Sequence, residues 1–362
     1  MTNPSKPSWL AIILALLTLY VVWGSTYLAI RVGVESIPPF LMGGMRFAIA
    51  GLIVLGFVAW RSLVTTGRGL RFQRKQLIDN AVGGFFMLLG GNGLVSWAEK
   101  TVPSGMATLV ISLNPVFFVI AEWGIASWGQ RRLDVSKHDP ARGEQTASRE
   151  QSAKIAAAKG AKPNAWTLIG LVVGFAGLAI LVGPANWLSD DQAIGWGGLI
   201  ALVMACVNWT IGSLYVRYAS QPTEPFAGSG LQMVFGAAWM LIASALLGEL
   251  REFQWTEVTS AAWWSLAYLV VAGSLIGYTS FVWLMKHTSP TLVSTYGYIN
   301  PIVAVFLGWW ILHEPVGPRM ILASITILVG VAMISLAKPL ASWMAIQRTR
   351  RAAAAAAASP AE

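Results

Sequence analysis

Charge is scarce in this sequence: of 362 residues only 11% are Asp, Glu, Lys or Arg, while 56% are hydrophobic. A soluble domain carries roughly 25% charged residues. There is one cysteine, Cys206, so no intramolecular disulfide can form and the thiols say nothing about compartment. The three histidines lie outside the middle of any apolar run, and His313-Glu314-Pro315 lacks the second histidine that a zinc helix needs at i+4. No Gly-Lys-Ser/Thr step is present, which argues against a phosphate-binding loop and hence against a self-contained ATP-driven pump. No catalytic cluster, metal or cofactor is expected. A membrane-embedded enzyme would need acid–base or metal ligands at depth, which the apolar runs do not offer.

The few charges come in bursts. Between them lie uncharged runs at Pro7–Ile30, Asn80–Ala98, Thr101–Ala121, Pro163–Ser189, Gln192–Val216, Pro225–Gly248, Val258–Met285 and His287–His313. Two further runs, Ser36–Trp60 and Pro318–Ala337, are interrupted only by Arg46 and Arg319. About 20 apolar residues cross a bilayer core, so ten transmembrane helices are expected in an all-α membrane protein. The first run is too long for a signal-peptide core and has no small-residue cleavage site after it, so it counts as the first helix. With the N-terminus inside, 20 of the 25 Lys and Arg fall in cytoplasmic segments and four in outer loops, with Arg46 inside a span. That bias places both termini in the cytoplasm. The net charge of +9 then reflects topology and attraction to an anionic cytoplasmic leaflet rather than nucleic acid.

An internal repeat gives the organisation. A shift of 186 residues superposes Trp23 on Trp209, Arg31 on Arg217, Pro39-Phe40 on Pro225-Phe226, Gly91 on Gly277, Trp97 on Trp283, Lys100 on Lys286 and Asn114-Pro115 on Asn300-Pro301. Beyond the Asn-Pro pair the offset falls to 153, aligning Gly177 with Gly330, so the first copy carries about 33 extra residues. Residues 9–128 hold helices 1–4 of the first repeat, 129–164 a basic cytoplasmic insertion and 165–184 helix 5. Residues 194–337 hold the second repeat, and 338–362 a basic, Ala-rich tail. Five helices per copy forces the second copy to lie upside down. Inverted repeats of this kind build many secondary transporters, with the substrate site near the midplane between copies. A duplicated scaffold without transport, such as a membrane sensor, is the competing reading.

Candidate site residues follow from depth and chemistry. Pro115 and Pro301 have no N–H and free the carbonyls of Ile111 and Gly297, roughly 16 Å into the membrane on the helical rise. Irregular backbone at that depth survives only against protein or a watery cavity, and Asn114 and Asn300 add amides there. A neighbouring helix meeting a simple kink is the plain alternative. Asn92, Tyr278 and Tyr296 lie deep enough to face a cavity. Trp23, Ser25, Asn208 and Trp209 form a matched polar and aromatic pair of stretches in helices 1 and 6. Helix 9 adds Ser294, Thr295 and Tyr298. Tyr27, Trp97 and Trp283 read equally well as interfacial anchors. Two charges sit inside spans and default to function. Arg46 either receives an anionic group or snorkels to the outer surface. Glu122 either binds a coupling proton or cation, or is wetted near the inner surface. Gly170, Gly174 and Gly177 form a small-residue packing stripe.

These residues together resemble the drug/metabolite transporter superfamily, and within it the EamA-type ten-helix exporters of bacteria. The resemblance rests on Trp23-Gly24-Ser25-Thr26-Tyr27, Pro38-Pro39 to Arg46-Phe47, Pro103-Ser104-Gly105 and Asn300-Pro301 to His313-Glu314-Pro315. It covers the chain from Leu10 to about Lys338. It implies a carrier in the bacterial plasma membrane that moves small metabolites or drugs by alternating access. A monomer or a dimer is expected. The cavity would be lined by helices 1, 3, 4, 6, 8 and 9. The chain departs from the family pattern where a Gly-Glu pair usually follows helix 9, since His313 replaces the glycine, and in the insertion between helices 4 and 5.

Overall fold

A computed structural model describes residues 8–67, 69–121, 123–124, 165–182, 196–222, 224–288, 293, 296–334, 336 and 347. Glu122, Ser294, Thr295, the 129–164 insertion and the tail from 338, apart from residue 347, lie outside them. The described residues are helical, with no strand among them. Among the described residues, seven helices are long and apolar enough to cross a membrane: α1 (Trp9–Gly33), α2 (Pro39–Thr66), α3 (Arg74–Ala98), α4 (Ser104–Ala121), α6 (Trp196–Tyr218), α7 (Pro225–Leu246) and α8 (260–287). Three shorter apolar helices lie within α5 (Ala165–Val182), α9 (Tyr296–Leu312) and α10 (Pro318–Ile334).

Local chemistry explains where the helices begin. Ser8 caps α1 by accepting from the Ala11 amide at 3.2 Å, and Thr259 caps α8 by accepting from Ala262 at 3.2 Å. The repeated Pro-Phe steps are helix starts: Pro39 and Pro225 each occupy the first turn, where a missing N–H costs nothing. Once inside, α2 and α7 run along each other through buried Phe47, Ala50, Met233, Ala237 and Met240. The opposite face of α2 leaves Leu52, Ile53, Phe57 and Trp60 exposed, the outward apolar surface of a lipid-facing helix.

The described residues form two compact units. The larger comprises Met1–Asn114 and Leu178–Ser324, and the smaller Pro115–Gly177 and Ile325–Glu362. In the smaller unit α5 and α10 meet backbone to backbone: a Cβ placed on Gly330 would stand 2.8 Å from the Gly170 carbonyl oxygen. The Gly170–Gly174–Gly177 stripe therefore acts in packing.

In the larger unit, α9 is followed at once by His313, a non-glycine residue with φ +53°. The Glu314 amide donates to the Gly308 carbonyl at 3.0 Å, six residues back, which closes the helix in a left-handed cap. That cap explains the glycine of the family pattern, because a Cβ in this conformation costs about 1–2 kcal/mol. The chain tolerates His313 here and thereby keeps Glu314 aimed at α4.

Two stability changes follow, both read by thermal unfolding in detergent. Gly330→Val should destabilise the protein by about 1–3 kcal/mol, the range for overpacking a filled contact. His313→Gly should stabilise it by about 1 kcal/mol by relieving the left-handed strain.

Candidate functional site

Helices α3 and α8 leave the regular α-helix at matching places. In α3 the backbone widens to a π-helix over Phe85–Gly93, and in α8 over Leu269–Tyr278. Shifted by 186 residues the first becomes 271–279, so the two irregular stretches coincide almost completely. The glycines of each stretch let a neighbouring ring approach. A Cβ on Gly91 would lie 3.1 Å from Trp209, and one on Gly277 2.6 Å from Trp23 Nε1. Widened turns of this kind recur at functional sites, because they release backbone groups from the regular ladder. One is used at once: Trp23 Nε1 donates to the Gly273 carbonyl at 3.3 Å.

The Asn-Pro steps are alike in sequence and unlike in structure. Before Asn114-Pro115 the helix α4 is interrupted by a turn at 112–113, whereas Pro301 sits inside an unbroken α9. Asn300 explains the difference. With its amide nitrogen turned toward acceptors, it donates to the backbone carbonyls of Tyr296 and Tyr20, each at 3.1 Å, so α9 is tied to α1 across the step. Asn114 has no such anchor, and its Oδ1 is buried without a hydrogen-bond partner.

These features surround one cavity in the larger unit, with about 820 Å³ of empty space counting its opening. Helix α1 contributes Trp23, Thr26, Tyr27 and Ile30, and α3 contributes Leu88, Gly91, Asn92 and Val95. Helix α4 adds Ile111 and Asn114, α6 adds Ala205 and Trp209, α8 adds Gly273, Ser274 and Tyr278, and α9 adds Tyr296 and Asn300. The aromatic side is continuous: Trp23 stands edge-on to Tyr296 at 5.1 Å and tilted against Phe281 at 5.2 Å.

Seven of the nine residues singled out as substrate-binding candidates line this cavity: Asn92, Asn114, Asn300, Tyr278, Tyr296, Trp23 and Trp209. Ser25 and Asn208 do not. The Ser25 hydroxyl pairs with Tyr268 at 2.6 Å and its own helix, and Asn208 donates to the Met204 carbonyl one turn back. Tyr27, Thr26 and Ser274 are lining residues that depth alone does not mark.

Helix α2 also reaches the cavity, through Arg46 and Phe47. Arg46 does not snorkel. It is 7% exposed, its Nε donates to Ser274 Oγ at 2.9 Å, and its guanidinium lies 4.7 Å from the Phe47 ring centre. A guanidinium has five donor hydrogens, and this one is buried in a cavity wall of aromatic rings and amides.

The cavity wall continues toward the start of α3 as a polar chain. Tyr278 donates to Gln232 at 3.1 Å, Gln232 to Asn80 at 3.0 Å, and Asn80 to the Gln76 carbonyl at 2.7 Å. Beside it the buried Asp79 accepts from the Tyr215 hydroxyl at 2.7 Å and the Ser220 amide at 2.6 Å, clamping α3 to the end of α6. At the other end Glu249 accepts from the amides of Phe40 and Leu41, and Glu314 from the amide and hydroxyl of Ser104.

The unpartnered Asn114 oxygen separates binding from folding. Asn114→Leu removes a buried carbonyl whose desolvation costs about 1–3 kcal/mol, so its melting temperature should equal or exceed that of the wild type. Solute flux through the protein should fall at the same time, as measured in proteoliposomes.

Comparison with known proteins agrees with the architecture. The model of the EamA-like transporter family matches twice, at residues 9–128 and 196–336. The chain is 31% identical over 328 residues to the uncharacterized inner membrane transporter YedA of Escherichia coli K12, covering 90% of both. It is 23% identical to the uncharacterized transporter YoaV of Bacillus subtilis, over 89% of this chain and 96% of the relative. A solved crystal structure with 18% identity shares the fold with a TM-score of 0.56, over 91% of this chain and 98% of the other. With seven helices able to cross a bilayer and both halves matched, the chain is a membrane transporter and belongs to the EamA-like transporter family.

Proposed function

We propose that this protein is a secondary carrier of the bacterial inner membrane. It moves small organic molecules, in the outward direction, through the cavity between two inverted five-helix repeats. The reading takes ten membrane crossings with both termini in the cytoplasm, supported by the distribution of Lys and Arg. The double family match and the π stretches at equivalent positions support a duplication. An odd number of helices per copy then inverts one against the other.

The observation that carries the substrate class is Arg46. A buried guanidinium in an aromatic wall complements a carboxylate on a flat apolar body. The amides of Asn92, Asn114 and Asn300 and the hydroxyls of Tyr27, Tyr278 and Tyr296 supply neutral hydrogen bonds around it. Aromatic amino acids and related carboxylated metabolites fit this arrangement better than polycations, which Arg46 would repel. A membrane-embedded sensor built on the same fold is the alternative; it would bind such compounds without moving them.

Purified protein in liposomes preloaded with tryptophan, phenylalanine or an aromatic carboxylate should accumulate the radiolabelled compound by counterflow. Arg46→Gln keeps much of the side chain's length and loses the charge. It should lower the apparent affinity for carboxylates by at least about tenfold, the equivalent of one charge-assisted hydrogen bond at about 1.5–3 kcal/mol. Binding without counterflow would favour the sensor, and equal affinities in the two proteins would exclude Arg46 as the carboxylate site.

A further inference from the structure

Glu99 is the most completely buried charged side chain among the described residues. It lies one residue beyond the membrane span of α3, is 0% exposed, and neither carboxyl oxygen has a hydrogen-bond partner. An ionised carboxylate in that condition would bear a desolvation penalty of several kcal/mol with nothing bonded to offset it. Arg31, a cation that acts on it electrostatically, does not bond the carboxyl group: its guanidinium donates to the Glu99 backbone carbonyl. Glu314, on the other side, spends both oxygens on the start of α4 and adds negative charge nearby. Burial first, and Glu314 second, hold the Glu99 carboxyl well above the ordinary carboxylate range, with Arg31 opposing them. Tyr27 is within electrostatic reach on α1, as is Glu99 of it, while Lys100 points into the open.

Position gives this group a role. Glu99 follows Val95 by four residues and Arg31 follows Tyr27 by four, so the pair stands one helical turn outward of two residues in the cavity wall. Resting on the carrier reading above, we propose that Glu99 is the proton-binding carboxyl of this transporter, neutral while the outer end is closed and releasing its proton to water when that end opens. In the closed arrangement Arg31 is held by the Glu99 carbonyl. When the carboxyl ionises, the same guanidinium is the group positioned to turn from the carbonyl to the carboxylate. The charge state of Glu99 is thereby tied to the contact between α1 and α3. The Glu314–Ser104 contact beside it ties α4 to the end of α9, so opening this end exposes the carboxyl from both sides.

The test uses the full chain in liposomes and infrared difference spectra recorded as the external pH is stepped, first without any solute. The wild type should show a protonated carboxyl C=O band at neutral pH that is missing from Glu99→Gln and returns, shifted, in Glu99→Asp. Identical bands in wild type and Glu99→Gln would overturn the proposal, as would a response to NaCl at fixed pH in place of a response to pH, which would make the site one for sodium. In the transport arm, radiolabelled tryptophan uptake by the wild type should be accelerated by an imposed pH gradient, and Glu99→Gln should lose that acceleration while Glu99→Asp keeps part of it. Acceleration retained in Glu99→Gln would also overturn the proposal. Absence of tryptophan flux in the wild type would instead count against the carrier reading, leaving the infrared band to decide Glu99.

Discussion

A peptide group inside a membrane has no water to bond, so every departure from regular helix must be answered from within the protein. This constraint organises the site. The π stretches at Phe85–Gly93 and Leu269–Tyr278 and the turn before Asn114 are the places where the backbone leaves its ladder. They converge on one cavity, and the polar side chains found there are the ones that answer it. Trp23 bonds the Gly273 carbonyl, Asn300 bonds the carbonyls of Tyr20 and Tyr296, and Asn92 reaches the Met87 carbonyl at 3.4 Å. For the carrier proposed above, a solute would use what is left unanswered, chiefly the Asn114 oxygen and most of the Arg46 guanidinium.

Carboxylates do a different job at the two ends of the bundle. Asp79 holds the Ser220 amide and Tyr215, Glu249 holds the start of α2, and Glu314 holds the start of α4. Each places negative charge on backbone N–H groups, and the latter two lie at the positive end of a helix dipole. Such contacts are strong when dry and exchange readily with water when wetted, which would suit the ends of the carrier proposed above. Glu99 stands out against them because it is equally buried and bonds nothing through its carboxyl oxygens.

Much of this architecture is legible in the order of the amino acids. Apolar runs of membrane length mark the helices, the 186-residue shift exposes the duplication, and Pro-Phe steps mark the starts of α2 and α7. Depth along a helix can be counted residue by residue, and it selects Asn92, Asn114, Asn300, Tyr278 and Tyr296. Rotation about the helix axis cannot be counted in the same way. Arg46 is compatible with lipid or cavity until Ser274, 228 residues away, supplies its partner. Ser25 and Asn208 have the chemistry of binding residues, but they spend it on carbonyls of their own helices and on Tyr268. The two Asn-Pro steps read identically, and only Tyr20 on α1 makes one of them a bridge. Glu99, next to Lys100 at the end of a span, reads as an ordinary loop charge until its burial is seen.

In the carrier proposed above, the cavity is a passage reached in turn from both faces of the membrane. Asn114 lines it, and the sole native thiol, Cys206, is buried and can be replaced by serine to give a silent background. In that background Asn114→Cys should react with a membrane-impermeant thiol reagent added from either side of inside-out and right-side-out vesicles, and an aromatic carboxylate should slow both reactions. Reaction from one side only, or from neither, would contradict the account.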